Sequence, residues 1–266
     1  MELILLGTGN AAVTEVYNTC FVLKDSDRYL LVDGGGGGRL LHQLKAAGID
    51  WKNVRDIILT HKHLDHIMGI IWMLRMILQN MQRKKYEGEA NIYGHAEVLS
   101  LLRDLAHMLL TEKECAFMDE RLHFITVDHN ETRNIIGYDF TFFDIGSTKA
   151  KQFGFTVSME GGKKLTCCGD EPFNESELTY VQGSDWMLHE AFCLYSQADV
   201  FEPYKKNHST VKDACILAEQ LHVPNLVLYH TEDKNILHRK ELYTKEGKQY
   251  YSGNLYIPED LDRIQL

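Results

Sequence analysis

Three histidines and an aspartate crowd into "THKHLDHIMG", residues 60 to 69, at the foot of the apolar run "VRDIILT". In an irregular turn, His61 and His63, two residues apart, can converge on one cation without the strain a helix would impose. Asp65 and His66 then face a second position beside it. Imidazole, carboxylate and water suit a divalent transition metal of the zinc class, and a carboxylate can bridge two such ions. A lone histidine is ordinarily a polar surface or core residue. Four such groups in H-x-H-x-D-H after a strand specify metal binding.

The elements that must position this turn are short and alternate with turn signals. "LILLG", "TCFVLK" and "YLLVDGG" read as strands. "GRLLHQLKAAG" has helical spacing and ends at Gly48, a C-cap candidate. "VRDIILT" reads as a buried strand that delivers His61. From Ile67 to Met81 the chain is apolar on nearly every face, which predicts a buried helix, in part at a subunit interface. "HAEVLSLLRDLAHMLL" fits another helix.

In the middle, "LHFITV", "YDFTFFDI", "FGFTVSM" and "KKLTCCGD" read as strands of a second sheet, with "EGGK" a hairpin turn. "DWMLHEAF" and "NLVLYHT" are further strands. "STVKDACILAEQLHV" is a helix opened by a capping box of Thr210 and Asp213. The tail "YYSGNLYIPEDLDRIQL" reads as one last strand and a cap. Two β-rich halves, each followed by helices, predict stacked sheets with helices outside, as one domain over 1–266.

Composition narrows the function. The net charge of −10 argues against a general nucleic-acid binder, which needs clustered Lys and Arg. Six cysteines without a C-x-x-C pair suit packing in a reducing compartment. "MELILLGTG" lacks a basic run and a cleavage site, and no apolar run approaches ~18 residues, so a cytoplasmic protein away from the membrane is expected. His42, His107 and His222 fall in helices, and His95, His123, His129 and His238 have no spaced partner, so each has a cap or surface role.

The turn His61-x-His63-x-Asp65-His66 resembles the signature of the metallo-β-lactamase superfamily, and the resemblance spans essentially the whole chain. It implies an α/β fold, a four-layer αββα sandwich with a dinuclear metal site. It also implies that Asp170 of "CCGDEP" is the bridging carboxylate, that His230 of "LVLYHT" is the last histidine ligand, and that Asp33 of "LLVDGG" is a structural turn residue. Within the superfamily, "LLGTGNA", "HEAF" (His189 to Phe192) and "NHST" (Asn207 to Thr210) resemble the RNase Z branch. That likeness gives catalytic roles to Asp65, Glu190 and His208, with Glu190 orienting His208 and His208 assisting at the scissile phosphate. The branch is usually dimeric, which implies a homodimer here.

One expected ligand is missing. The family places a histidine at the end of the strand before the Asp170 hairpin, and "FFDIGSTKAKQFGF" holds none. Counting back from Asp170 puts Gly146 in that slot. The first metal then keeps His61, His63 and Asp170, with Ser147, a water or His129 as the substitutes. Two divalent ions are expected, zinc first and manganese or iron as alternatives, with the first site incompletely liganded and activity impaired. The extended basic arm of tRNA-processing members is absent, so tRNA is disfavoured. The expected activity is phosphodiester hydrolysis of a small anionic or nucleotide-type molecule such as a cyclic nucleotide. A lactone or ester hydrolase on the same site and a catalytically weak sensor are the alternatives.

Overall fold

The computed structural model describes all 266 residues, Met1 to Leu266. They group into two compact units: Met1–Gly7, Tyr17–Asp128 and Leu261–Leu266 in the first, Thr8–Val16 and His129–Asp260 in the second.

The first unit is built on a seven-stranded mixed sheet. It contains β1 (Glu2–Gly7), β2 (Cys20–Asp25), β3 (Arg28–Val32), β4 (Val54–Ile58), β5 (Ala90–Gly94) and β6 (Leu122–Thr126), in that order. The tail strand Arg263–Gln265 pairs antiparallel with the outer edge of β1. Strands β1 to β3 pair antiparallel, and β3 to β6 pair parallel. Helices α1 (Arg39–Ala46), α2 (Leu64–Gln82), α3 (Ala96–Leu109) and α4 (Glu112–Cys115) complete the unit. Ile57 and Leu31 of the sheet share a core with Ile70 and Leu74 of α2 and Leu102 of α3, all fully buried. Each such side chain contributes about 1.5–3 kcal/mol relative to its exposed state. Gly48 follows α1 with φ +73°, and its N–H returns to the carbonyl of Lys45, a left-handed stop that glycine adopts without strain.

The second unit carries another seven-stranded sheet, in the order β13 to β7: β7 (Thr132–Ile135), β8 (Tyr138–Asp144), β9 (Phe153–Ser158), β10 (Lys164–Cys167), β11 (Trp186–Glu190), β12 (Asn225–Tyr229) and β13 (Asn254–Tyr256). Here β7 to β10 pair antiparallel and β10 to β13 parallel. Four helices accompany it: α5 (Leu178–Val181), α6 (Ala198–Phe201), α7 (Val211–Gln220) and α8 (Arg239–Gly247). The expected capping box of α7 is present, with the Thr210 N–H donating to Asp213 Oδ2 at 2.9 Å and the Asp213 N–H to Thr210 Oγ1 at 3.4 Å.

Three expectations change. "LHFITV" becomes β6 and joins the first sheet, because its parallel partner is β5, "ANIYG", a strand too short and too polar to stand out in the sequence. The tail supplies two strands, one to each sheet, rather than one and a cap. Helix α2 is mostly buried, but Leu64 is 72% and Trp72 38% exposed, so its apolar surface is not covered all round within the chain.

All six cysteines are free and buried. Burial pushes the thiols of Cys193 and Cys215 up to about 12. Glu177 is also fully buried. Its Oε1 accepts the N–H of Asn174 at 2.9 Å in a capping box, while Oε2 has no hydrogen-bond partner. Desolvation raises this carboxyl from 4.5 to about 8, opposed by the Asn174 bond. The folded protein therefore holds a proton that the unfolded chain releases, and stability is lost as pH rises between those two values. Glu177→Gln is expected to raise the thermal midpoint over the parent at pH 9, with a much smaller difference at pH 5. Equal midpoint differences at the two pH values would contradict the buried proton.

Candidate metal centre

Most residues singled out for chemistry stand where parallel strands end. Asp33 follows β3, the His61–His66 turn follows β4, Asp170 follows β10, Glu190 ends β11 and His230 follows β12. Carboxyl ends of parallel strands are where such sheets bind ligands. Asp33, Asn207 and His230 each adopt left-handed backbone, with φ of 56°, 55° and 58°. Non-glycine residues take that conformation at a cost that surrounding contacts must offset, and it concentrates at functional sites.

In the first unit, Asp33 organises the turn. Its Oδ1 accepts the Thr60 N–H at 2.8 Å, and its Oδ2 accepts the Thr60 hydroxyl and His66 Nδ1, each at 2.7 Å. This fixes the His66 proton on Nδ1 and turns Nε2 outward as a lone-pair donor, the arrangement seen around metal-ligating imidazoles. Asp33 therefore orients rather than ligates, in line with its expected turn role. His66 Nε2 lies 3.4 Å from Asp65 Oδ2. His61 Nδ1 sits 2.9 Å from the Thr60 hydroxyl, and its Nε2 stands 2.9 Å from Nδ1 of His63. The rings of His61 and His66 are 4.1 Å apart. Donor atoms of Asp33, His61 and His66 lie within 4.8 Å of one another.

The glycine run explains how the helix start is held. The Gly34 N–H donates to the His66 carbonyl and the Gly69 N–H to the Gly35 carbonyl, each at 2.9 Å. A Cβ on Gly69 would fall 1.7 Å from the carbonyl oxygen of Gly34, so only glycine permits this backbone approach.

In the second unit, Asp170 is 4% exposed. Its Oδ1 accepts a short hydrogen bond from Gln152 Nε2, and its Oδ2 lies 3.5 Å from His230 Nε2. The Tyr229 hydroxyl donates to the carbonyl of Gly169 and so fixes the turn before Asp170. Glu190 is fully buried, and its Oε1 accepts a short bond from the Ser209 N–H. Its Oε2 lies 3.5 Å from His208 Nδ1, and neither atom has a hydrogen-bond partner. The His208 ring stacks on Phe192 at 5.0 Å and lies 5.1 Å from the His230 ring. Donor atoms of Glu190, His208 and His230 lie within 4.8 Å of one another. The opening loop "GTGNA" buttresses His230: the Asn10 N–H donates to the Thr231 carbonyl and the Thr231 N–H to that of Thr8.

Gly146, the position reached by counting back from Asp170, lies in the loop between β8 and β9. It sits in a left-handed turn (φ +72°), its N–H donates to Asp144 Oδ1, and a Cβ there would meet only the Asn174 side chain. Ser147 is committed to Glu171, and the His129 ring to the Asp144 N–H at 3.1 Å and the Tyr180 hydroxyl at 3.3 Å. The polar side chain that reaches Asp170 is Gln152, 2% exposed at the foot of β9. Sequence reasoning missed it, because a glutamine just before the apolar strand "FGFTVS" carries no mark of its partner.

The donor set fits divalent metal. It consists of buried imidazoles and carboxylates, with one imidazole set by a carboxylate behind it.

The family model described as "Anti-Pycsar protein Apyc1" matches residues 1–249. The chain belongs to the Anti-Pycsar protein Apyc1 family. This Apyc1-family chain is also similar to ribonuclease Z of Thermococcus sibiricus and of Pyrococcus abyssi, each 25% identical over all of the chain and 96% of the relative. Among solved structures it is similar to the metallo-β-lactamase fold protein YhfI of Bacillus subtilis (TM-score 0.79, 17% identity, 99% and 98% of the two chains). It is likewise similar to the short form of human tRNase Z (0.75, 20%, 100% and 99%) and to a diphosphatase of the PhnP family (0.74, 15%, 99% and 96%). The Apyc1-family chain thus has the metallo-β-lactamase fold and is RNase Z-like over its whole length. No helix is long and apolar enough to cross a membrane.

Proposed function

We propose that this chain hydrolyses small anionic phosphodiesters of cyclic-nucleotide size, with His61, His63, Asp65 and His66 in the first unit and Asp170 and His230 in the second as the residues that would ligate divalent cations. The observation that carries this reading is the Glu190–His208 pair, a buried carboxylate 3.5 Å behind an imidazole that touches His230. Divalent cations, when held by these residues, would supply Lewis acidity. Asp170 and His66 are held in ligand-ready orientations by Gln152 and Asp33. Glu190 steadies the Nδ1 side of His208, which leaves Nε2 to carry a proton. As water adds to phosphorus and gives up one proton to solvent, the P–O bond to the leaving oxygen breaks and the Nε2 proton passes to the leaving alkoxide.

The names of the relatives, ribonuclease Z and a PhnP-family diphosphatase, support phosphate chemistry. A small substrate is supported by the net charge of −10 and by the alignment with the Thermococcus enzyme. That alignment runs over 312 positions against 266 residues here, so the relative carries insertions that this chain lacks.

The test is a panel in saturating zinc and manganese: a cyclic nucleoside monophosphate, bis(p-nitrophenyl) phosphate, an acyl lactone and a tRNA precursor. Turnover of the first two is expected. Hydrolysis of the lactone with both phosphodiesters untouched would establish the ester hydrolase reading instead, and inertness toward the whole panel would favour a binding role.

A further inference from the structure

The residue after Asp170 is a second buried carboxylate. Glu171 is 4% exposed, and both its oxygens are occupied. Oε1 accepts the Ser147 hydroxyl at 2.7 Å and lies 3.7 Å from Lys149 Nζ; Oε2 accepts Asn207 Nδ2 at 2.7 Å. Ser147 belongs to the β8–β9 loop, and Asn207 immediately precedes His208. A buried carboxylate is tolerated only when its charge is met in this way.

Asn207 is the less ordinary end of the bond. It takes left-handed backbone, φ 55° and ψ 54°, at the close of the turn Tyr204–Lys206. The His208 N–H then reaches back to the Pro203 carbonyl at 2.9 Å. The segment 203–208 thus folds tightly on itself, and the Asn207 amide is its tether to the Asp170 loop. On the far side of His208, the Ser209 N–H is bonded to Glu190 and the Ser209 carbonyl accepts the Phe192 N–H, so the tether and these bonds bracket the ring that meets Phe192 and Glu190.

We propose that Glu171 is a positioning residue that sets His208 relative to Asp170 through Asn207. This rests on the reading of His208 as the proton donor to the leaving oxygen. Glu171 touches neither substrate nor reacting atoms; it fixes the distance from the proton to the phosphorus-bound oxygen it must reach.

The test uses Glu171→Gln, which keeps the shape but offers one acceptor in place of two, and Asn207→Gly, which keeps the left-handed backbone and removes the amide. With a cyclic nucleoside monophosphate, whose leaving ribose oxygen needs a proton, kcat is expected to fall about 10–100-fold while KM changes little. With bis(p-nitrophenyl) phosphate, whose leaving phenolate needs none, both variants should stay near the parent. Metal content by plasma mass spectrometry should be unchanged, and amide hydrogen exchange in the 203–209 peptide should accelerate in both.

Equal losses on the two substrates, lost metal, or unaltered exchange in that peptide would each overturn the inference. His208→Ala runs in parallel as the reference. If it too shows no bias between leaving groups, the reading of His208 fails, and the exchange measurement alone judges whether Glu171 holds the segment. If it shows the bias and the Glu171 and Asn207 variants do not, the positioning role fails by itself.

Discussion

Asp170→Ala is expected to weaken divalent-metal binding more than 100-fold, roughly the upper limit for loss of a group that merely supports a ligand. Asp170 is the carboxylate at the end of β10, 4% exposed, with His230 on one oxygen and Gln152 on the other. Removing it takes away a charged donor and strands the Gln152 amide. Gln152→Leu should fall between parent and Asp170→Ala, weakening binding about 10–100-fold, because it frees Asp170 to rotate without removing a ligand. Isothermal titration with zinc, with thermal unfolding to check the fold, measures both. Parent-like affinity in Asp170→Ala would remove it from the ligand set.

His208→Ala is expected to lower kcat on a cyclic nucleoside monophosphate by about 10²–10⁴-fold, the usual contribution of a positioned general acid. Metal content should be unaltered, since the proposed ligands remain. The ring is held on one face by Phe192 and faces Glu190 Oε2 at 3.5 Å, a setting that fixes its direction before substrate arrives. A loss of less than threefold would show that the leaving oxygen takes its proton elsewhere.

Much of this was legible in the sequence because the signals are local. H-x-H-x-D-H needs only six residues and a preceding strand, and the Thr210–Asp213 box needs four. What failed was non-local. The sheet to which "LHFITV" belongs depends on β5, some thirty residues upstream, and on a parallel pairing that leaves no mark in either strand. The amide on Asp170 stayed hidden for a related reason. Counting from Asp170 assumes a loop of fixed length, but the Asp144–Gly146 and Ser147–Glu171 bonds tie the loop down and bring Gln152, six residues later, against the carboxylate. Glutamine before an apolar strand is commonplace, so nothing in composition marks it.

The sealed cysteines carry a practical meaning for watching this molecule in solution. Every native thiol lies inside the fold, and two are pushed up to about 12, so at neutral pH none presents thiolate to an alkylating reagent. A single cysteine introduced on the surface becomes the one handle that maleimide chemistry finds. A fluorophore or spin label there needs no prior removal of native sulfur, and the labelled molecule keeps every packing contact of the parent.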